Sequence, residues 1–394
     1  MSARPGRGIT LGAAFLMATS AIGPGFLTQT ALFTERHRAS FGFAILASIV
    51  LDLGAQVAIW RTLVATGERA APLAESTVRG TGTLLTVLVC VGGIVFNIGN
   101  VAGAALGLEA LVGAPQSSGA LASAAFAIGC FLVPDANRAI DTAARALGAA
   151  MIALVAWIAV TSRPDLGEAL VRSVAPAGIA PLAIVTLVGG TVGGYIPFAG
   201  AHRLLDAGLR GADGARAAAR GALWGIGIAS AMRILLFLAV LGVVTHGGAL
   251  DAANPAASAF RLAAGAAGAR AFGLVMWAAA ITSVIGSAYT SVSFLRSVVP
   301  AAEARPRATI VAFIALSTAI FLAVGRPVAL LVLAGALNGL VLPLGLAVVL
   351  VAAARRRPLP GLPGPALRTA GWAVALVMAV MGGWTLVTEL AKLR

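Results

Sequence analysis

The sequence predicts an all-α integral membrane protein of about eleven transmembrane helices, built as two five-helix halves followed by one extra helix. Three observations predict it. Of the 394 residues, 59% are hydrophobic and only 11% charged, against about 25% charged residues in a soluble domain. Apolar runs of roughly 20 residues, the length a bilayer core demands, recur from end to end. Two of these runs carry Gly/Pro interruptions, and they open the first and the second group of five.

In chain order, the hydropathy predicts spans at 9–34, 41–65, 83–112, 118–134, 142–162, 179–200, 221–245, 271–295, 308–325, 327–352 and 370–391. The chain then reads as a single membrane domain over 1–394, with a first repeat over 1–162, a second over 179–352 and an additional helix at 370–391. The first run is too long for the 7–15-residue core of a signal peptide, so it counts as a helix. The Pro- and Arg-rich stretch from Arg355 to Arg368 is a linker. Cys90 and Cys130 both fall within spans and read as buried small apolar residues, with no disulfide or metal site between them.

The net charge of +14 does not mark a nucleic-acid binder. With the N-terminus on the cytoplasmic side, the inside segments hold roughly twice as many Lys and Arg as the outside ones, as the positive-inside rule expects. The basic residues are nearly all Arg, with Lys392 the sole lysine, and Ala and Gly abound. That composition suggests a GC-rich bacterial genome and hence a bacterial plasma (inner) membrane. The expected partners are a small-molecule or ion substrate and the lipid bilayer. No cofactor and no nucleic acid is expected, and the sequence leaves the oligomeric state open.

In hydrocarbon every backbone polar group must be satisfied, so an interrupted span needs a reason. The first interruption reads Ile22-Gly23-Pro24-Gly25-Phe26-Leu27-Thr28-Gln29-Thr30 and the second Val188-Gly189-Gly190-Thr191-Val192-Gly193-Gly194-Tyr195-Ile196-Pro197. Paired broken segments in corresponding places point to a transporter site at the bilayer midplane, where unwound carbonyls meet cations and free amides meet anions. Unwinding is expected across 23–30 and 189–197, with Thr28, Gln29, Thr30, Gly193, Gly194 and Tyr195 around the substrate. Small residues also permit close packing, and Gly103 with Gly107 is read that way.

Two ionisable residues lie deep in spans. Arg233 sits near the middle of the seventh and Asp52 is similarly deep in the second. A central Arg costs about 2.5–3.5 kcal/mol on insertion scales, so such residues are functional hypotheses. Either they pair and lock the bundle, or Arg233 neutralises an anionic substrate while Asp52 serves as counter-ion or protonation site. There is no His-Glu-x-x-His string and no acidic pair on facing spans, which argues against an intramembrane enzyme. A non-transporting sensor stays open.

Several local strings resemble the NRAMP family of proton-coupled divalent-metal transporters. Gly23-Pro24-Gly25-Phe26 is similar to that family's first-helix opening. Phe41-Gly42-Phe43 through Ala65-Thr66-Gly67-Glu68 is similar to its second helix, Gly103-Ala104-Ala105-Leu106-Gly107-Leu108 to the end of its third, and Leu342-Pro343-Leu344 to its tenth. The resemblance implies the leucine-transporter-type 5+5 inverted repeat with helices 1 and 6 broken. It also implies a proton- or sodium-coupled symporter.

The family's metal chemistry is missing. Its Asp-Pro-Gly-Asn signature is absent, and the Asp position, counted from Gly23, falls on Thr34. The Met-Pro-His motif is replaced by Gly193-Gly194-Tyr195, a tenth-helix Gln by Gly335, and the third-helix Asp and Glu by Asn97 and Asn100. Glu35 reads as a loop residue, and His202 as a residue near a helix end. A dehydrated divalent ion needs hard anionic oxygens, or soft ligands with negative charge, and neither break offers a carboxylate. No metal ligand set is expected. The expected cargo is a small organic anion or amino-acid derivative, and the resemblance to bacterial relatives associated with 5-oxoproline metabolism makes that compound the named candidate. Asn97, Asn100 and Arg233 follow the break residues as expected substrate-binding positions. The alternative is an atypical magnesium- or manganese-type cation site using carbonyls with Asn97 or Asn100. The wider leucine-transporter resemblance further implies a sodium site at Thr282 or Ser283 on the eighth span, where Ser287, Tyr289 and Thr290 also cluster.

Overall fold

Residues 21–132, 136–356 and 358–391 are described by a computed structural model, with backbone alone for 136–145 and 389–390. The first part of the first predicted span, residues 9–20, lies outside them. The described chain is helical throughout: α1 (Pro24–His37), α2 (Phe41–Thr66), α3 (Ala70–Thr77), α4 (Thr81–Val112), α5 (Gln116–Leu132), α6 (Ala136–Thr161), α7 (Leu166–Val174), α8 (Pro181–Val192), α9 (Ile196–Asp206), α10 (Gly211–Thr245), α11 (Pro255–Leu295), α12 (Pro300–Ala304), α13 (Pro306–Val324), α14 (Pro327–Arg355) and α15 (Pro365–Ala391).

Eight segments among the described residues are long and apolar enough to cross a membrane. One of them, Pro24–Thr66, has 43 residues, about twice what a bilayer needs. It is two helices: Arg38 leaves the helical conformation at φ 51° and ψ −138°, so α1 ends there and α2 begins three residues later. Gln116–Leu132 is a shorter apolar helix, and Ala146–Thr161 with Leu166–Val174 forms a pair bent by 108°. Each predicted span within the described residues is therefore built of helix, with interruptions at 22–23 and 193–195.

The differences lie at the ends and in the connectors. α10 runs for 35 residues and α11 for 41, well beyond the apolar windows, because a helix continues outside the lipid wherever nothing breaks it. α11 bends at Ala264 and Gly265, where Gly265 takes φ 67°. The connector after α6 holds α7, N-capped by Asp165, whose Oδ1 accepts from the Glu168 amide at 2.9 Å. It packs beside α2 through Ala169 and Ser173, a Cβ on Gly42 falling 2.0 Å from Ser173 Oγ, and leaves Leu166, Leu170, Val171 and Val174 exposed.

The outer surface is apolar. On α15, Trp372, Leu376, Val380, Trp384 and Val387 recur every three or four residues and are exposed, a stripe suited to lipid and not to water. Inside, helices touch through glycine. A Cβ on Gly107 would sit 2.6 Å from the Trp277 nitrogen and 2.9 Å from the Gly273 carbonyl, and one on Gly103 would sit 2.0 Å from Pro24 Cβ. The packing role expected of Gly103 and Gly107 is what they have. Cys90 and Cys130 are both free.

Outside the spans, Glu75 closes the turn between α3 and α4, its two carboxylate oxygens accepting from the Gly80 and Gly82 amides at 2.9 and 3.0 Å. These backbone donors, the Gly80 amide first, hold its carboxyl below the usual range. The contribution is therefore present above the ordinary carboxylate pKa and lost as pH falls through the depressed one. Glu75→Gln is expected to speed amide exchange at Gly80 and Gly82 at neutral pH while leaving the unfolding temperature unchanged. Unaltered exchange would contradict this role.

Candidate functional site

Both predicted breaks are present, and both are shorter than expected. Ala21 is helical, Ile22 and Gly23 are not, and α1 opens at Pro24, with Gly23 extended at φ −86° and ψ 180°. Proline suits that first position because it has no N–H to leave unpaired and its φ is already helical. The second break spans Gly193 to Tyr195. Gly193 is extended, Gly194 takes φ 55°, and α9 restarts at Ile196 with Pro197 in its first turn. The expectation that 23–30 and 189–197 unwind throughout is thus corrected: Thr28, Gln29 and Thr30 ride on α1, and residues 189–192 belong to α8. Thr34, expected at the family's Asp position, lies well inside α1 and donates to the Thr30 carbonyl. The string at the first break is Gly23-Pro24-Gly25-Phe26 itself.

Asn100 on α4 sits where the two breaks approach each other. A Cβ on Gly23 would lie 3.7 Å from Asn100 Oδ1 and 3.0 Å from Ser283 Oγ of α11. The Tyr195 hydroxyl at the second break lies beside Asn100 and Ser287 without closing a hydrogen bond to either. One turn away, Asn97 Oδ1 accepts from Ser287 Oγ at 2.7 Å. Both polar atoms of Asn100, Asn97 Nδ2, Ser283 Oγ and the Tyr195 hydroxyl are buried without partners. Unpaired buried polar atoms are costly, so their concentration here marks a place built for a polar guest. Thr282 does not join it, because its hydroxyl is spent on the Ala279 carbonyl at 2.9 Å; Tyr289 is exposed.

A second polar group lies between α1, α8 and α14. Gln29 Nε2 donates to the Leu331 carbonyl at 2.7 Å and its Oε1 is unpaired. A Cβ on Gly335 would stand 2.7 Å from Gln29 Nε2, and one on Gly190 3.1 Å from Gln29 Oε1, so these glycines make room for the amide. Asn338 of α14 reaches into the second break: its Oδ1 would be 1.7 Å from a Cβ on Gly194. Gly194 thus needs to be glycine twice over, for its positive φ and for this approach. Asn338 Nδ2 donates to the Gly92 and Ala334 carbonyls at 3.1 and 2.8 Å, leaving Oδ1 free. Pro343 in the same helix withholds the N–H that would have met the Gly339 carbonyl. Thr28 Oγ1 is buried and unpaired, whereas Thr30 bonds its own helix at the Phe26 carbonyl.

Arg233 joins four helices. From α10 its Nη2 donates to Thr191 Oγ1 of α8 at 2.7 Å and its Nη1 to Ser48 Oγ of α2 at 3.3 Å. The guanidinium lies 4.3 Å from the centroid of the Phe26 ring of α1, a cation–π contact. Asp52 Oδ2 is 4.0 Å from Nη1, beyond hydrogen-bond range, with both side chains at most 2% exposed. Asp52 Oδ1 and Arg233 Nε have no partner. Thr191 is two residues before the second break and Phe26 three after the first, so this pair flanks both.

Sequence reading missed Asn338, Ser48, Thr191 and Gln56. The last lies one turn beyond Asp52 with both amide atoms buried and unpaired. The signal was there for α2: Ser48, Asp52 and Gln56 recur every four residues, the mark of one helix face. Asn338 gave no such sign, since a lone Asn in an apolar helix also fits simple packing. His202 lies near a helix end as expected, one turn before α9 closes, but it is no loose edge residue: it is 5% exposed, stacks on Phe294 with centroids 5.1 Å apart, and accepts from the Ala70 amide at 3.2 Å. Glu35, expected in a loop, lies instead in the last turn of α1, where its carboxylate accepts from the Leu250 amide at 2.9 Å.

Relatives agree with this architecture. The chain is 50% identical over 386 residues to the uncharacterized membrane protein YcsG of Bacillus subtilis, covering 98% of this chain and 96% of that one. It is 48% identical to an uncharacterized membrane protein of Haemophilus influenzae, covering 98% of both. Its fold is similar to that of a manganese transporter of Eremococcus coleocola solved with an aromatic bis-isothiourea substituted compound: TM-score 0.75 at 15% identity, covering 98% of this chain and 87% of that one. It is also similar to Mhp1, a nucleobase-cation-symport-1 family transporter solved closed with bromovinylhydantoin bound: TM-score 0.59 at 16% identity, covering 96% and 93%. The description of the natural resistance-associated macrophage protein-like (Nramp) family matches residues 14–388. With two broken helices, the leucine-transporter-type fold and a match over nearly its whole length, the chain belongs to the Nramp family of membrane transporters.

Proposed function

We propose that this Nramp-family chain is a secondary transporter of a small organic anion or amino-acid derivative, coupled to protons or sodium, with 5-oxoproline as the first candidate cargo. One observation carries the reading: a buried guanidinium, Arg233, with an unpaired Nε, lies among the helices of both breaks. A guanidinium with a free donor favours a carboxylate and has no acceptor to offer a divalent cation. The groups nearest the breaks support it. Gln29, Asn97, Asn100, Asn338, Tyr195 and Ser283 offer neutral amides and hydroxyls, which suit the polar remainder of a small amide-bearing acid. Alternating access would then rock the helices holding the breaks against the rest. The charge bias of the loops supports a cytoplasmic N-terminus in a bacterial plasma membrane. For coupling, the sodium reading draws on Ser283 Oγ and Asn100 Oδ1 beside the first break; a proton reading draws on Asp52.

The likeness to a manganese transporter favours a second reading, a divalent-cation carrier using Asn97, Asn100 and break carbonyls. Proteoliposomes decide between them. Saturable uptake of labelled 5-oxoproline or lactate, lost in Arg233→Gln, is expected, with no quenching of a trapped metal-sensitive fluorophore by manganese or magnesium. Robust, saturable metal flux together with no carboxylate uptake would replace the anion reading with the cation one.

A further inference from the structure

The Asp52–Arg233 pair is poorly made for a structural lock. A buried ion pair offsets the desolvation of its two charges only with close geometry and with its remaining donors and acceptors satisfied. Here the charges stand 4.0 Å apart, one carboxylate oxygen and one guanidinium nitrogen are unpaired, and the two terminal guanidinium nitrogens donate to neutral hydroxyls instead. Phe26 covers a face of the guanidinium, and hydrogen bonds to a guanidinium run in its plane, so its Nε edge remains the place for a second carboxylate. Bidentate Arg–carboxylate pairing is the strong arrangement, and the present carboxylate does not use it.

Resting on the reading of Arg233 as the cargo's anchor, we propose that Asp52 is a proton carrier: the cargo carboxylate takes the guanidinium, and Asp52, left without its counter-charge, binds one proton from the same compartment. The charges balance. Before binding, Arg233 carries +1 and Asp52 −1; afterwards the guanidinium faces the cargo carboxylate and Asp52 is a neutral acid. A carboxylate left alone in so dry a place costs several kcal/mol, which protonation avoids. The surroundings contain nothing to compete for the role. α2 contributes Ser48 and Gln56, α8 Thr191, α1 Phe26 and α10 Arg233, so among the described residues the guanidinium is the one charged group facing Asp52. The amide of Gln56, one turn along the same face with both polar atoms unpaired, extends the polar stripe away from Arg233. A monocarboxylate then crosses with one proton and no net charge.

The test uses the full chain. Purified wild-type protein in weakly buffered detergent is mixed with 5-oxoproline, lactate or pyruvate in the presence of a pH indicator. About one proton taken up per anion bound is expected. In proteoliposomes, an inside-alkaline pH gradient is expected to drive accumulation, a potassium diffusion potential to leave it unchanged, and Asp52→Asn to bind the anion yet accumulate none against its gradient. Binding without proton uptake, or undiminished gradient-driven accumulation by Asp52→Asn, would overturn the proton exchange while leaving Arg233 as anchor. Absence of any carboxylate binding by the wild type would overturn both. Because the indicator measurement needs no variant, it decides the matter even if Asp52→Asn does not fold.

Discussion

Arg233→Met is expected to cost about 3–5 kcal/mol of stability, and the double variant Asp52→Asn/Arg233→Met to recover most of that loss. The asymmetry follows from what each change leaves behind. Removing the guanidinium strands the Asp52 carboxylate, at most 2% exposed and already with one oxygen unpaired. Ser48 and Thr191 are not stranded, because each hydroxyl also donates within its own helix, to the Ile45 and Leu187 carbonyls at 2.8 Å. The methionine keeps contact with the Phe26 ring. Neutralising Asp52 then removes the remaining penalty. Thermal unfolding in detergent, with the yield of monodisperse protein, reads the result. A single variant as stable as the wild type, or a double variant no better than the single, would show that the two charges are not coupled. A stability rescue without restored carboxylate uptake is the expected combination, since the double variant regains packing and not the anchor.

The second large effect is expected at a glycine that sequence reading placed in the second interruption. Gly189→Ala should lower the folded yield sharply, by about 3 kcal/mol or more, whereas Gly190→Ala should cost under about 1 kcal/mol. A Cβ on Gly189 would lie 1.9 Å from the Gly335 carbonyl oxygen and 2.3 Å from the Gly339 nitrogen. Both are backbone atoms of α14, so only separation of the two helices relieves the overlap. Next door, a Cβ on Gly190 meets Gln29 Oε1 at 3.1 Å, the end of a side chain that can turn. Gly190→Ala is therefore a probe of the site and Gly189→Ala a probe of the fold: the former should alter cargo affinity through Gln29 with little change in unfolding temperature. Equal unfolding temperatures for the two variants would refute the distinction.

The sequence by itself determined the membrane class, the order of the spans, the two broken helices and the presence of charge deep inside the lipid. These follow from local quantities. Bilayer thickness fixes the length of an apolar run, and Gly23-Pro24 and Gly193-Gly194 advertise lost helical hydrogen bonds wherever they stand. The tertiary structure alone decided how far each break extends, that Thr282 is spent on its own helix while Ser283 is not, that Asn338 fills the space before Gly194, and that Asp52 meets Arg233 from 181 residues away. A side chain's partner depends on the rotation of each helix about its axis and on its depth. In a helix that is apolar all round, hydropathy carries almost no record of that rotation, so only packing against the neighbouring helices sets it.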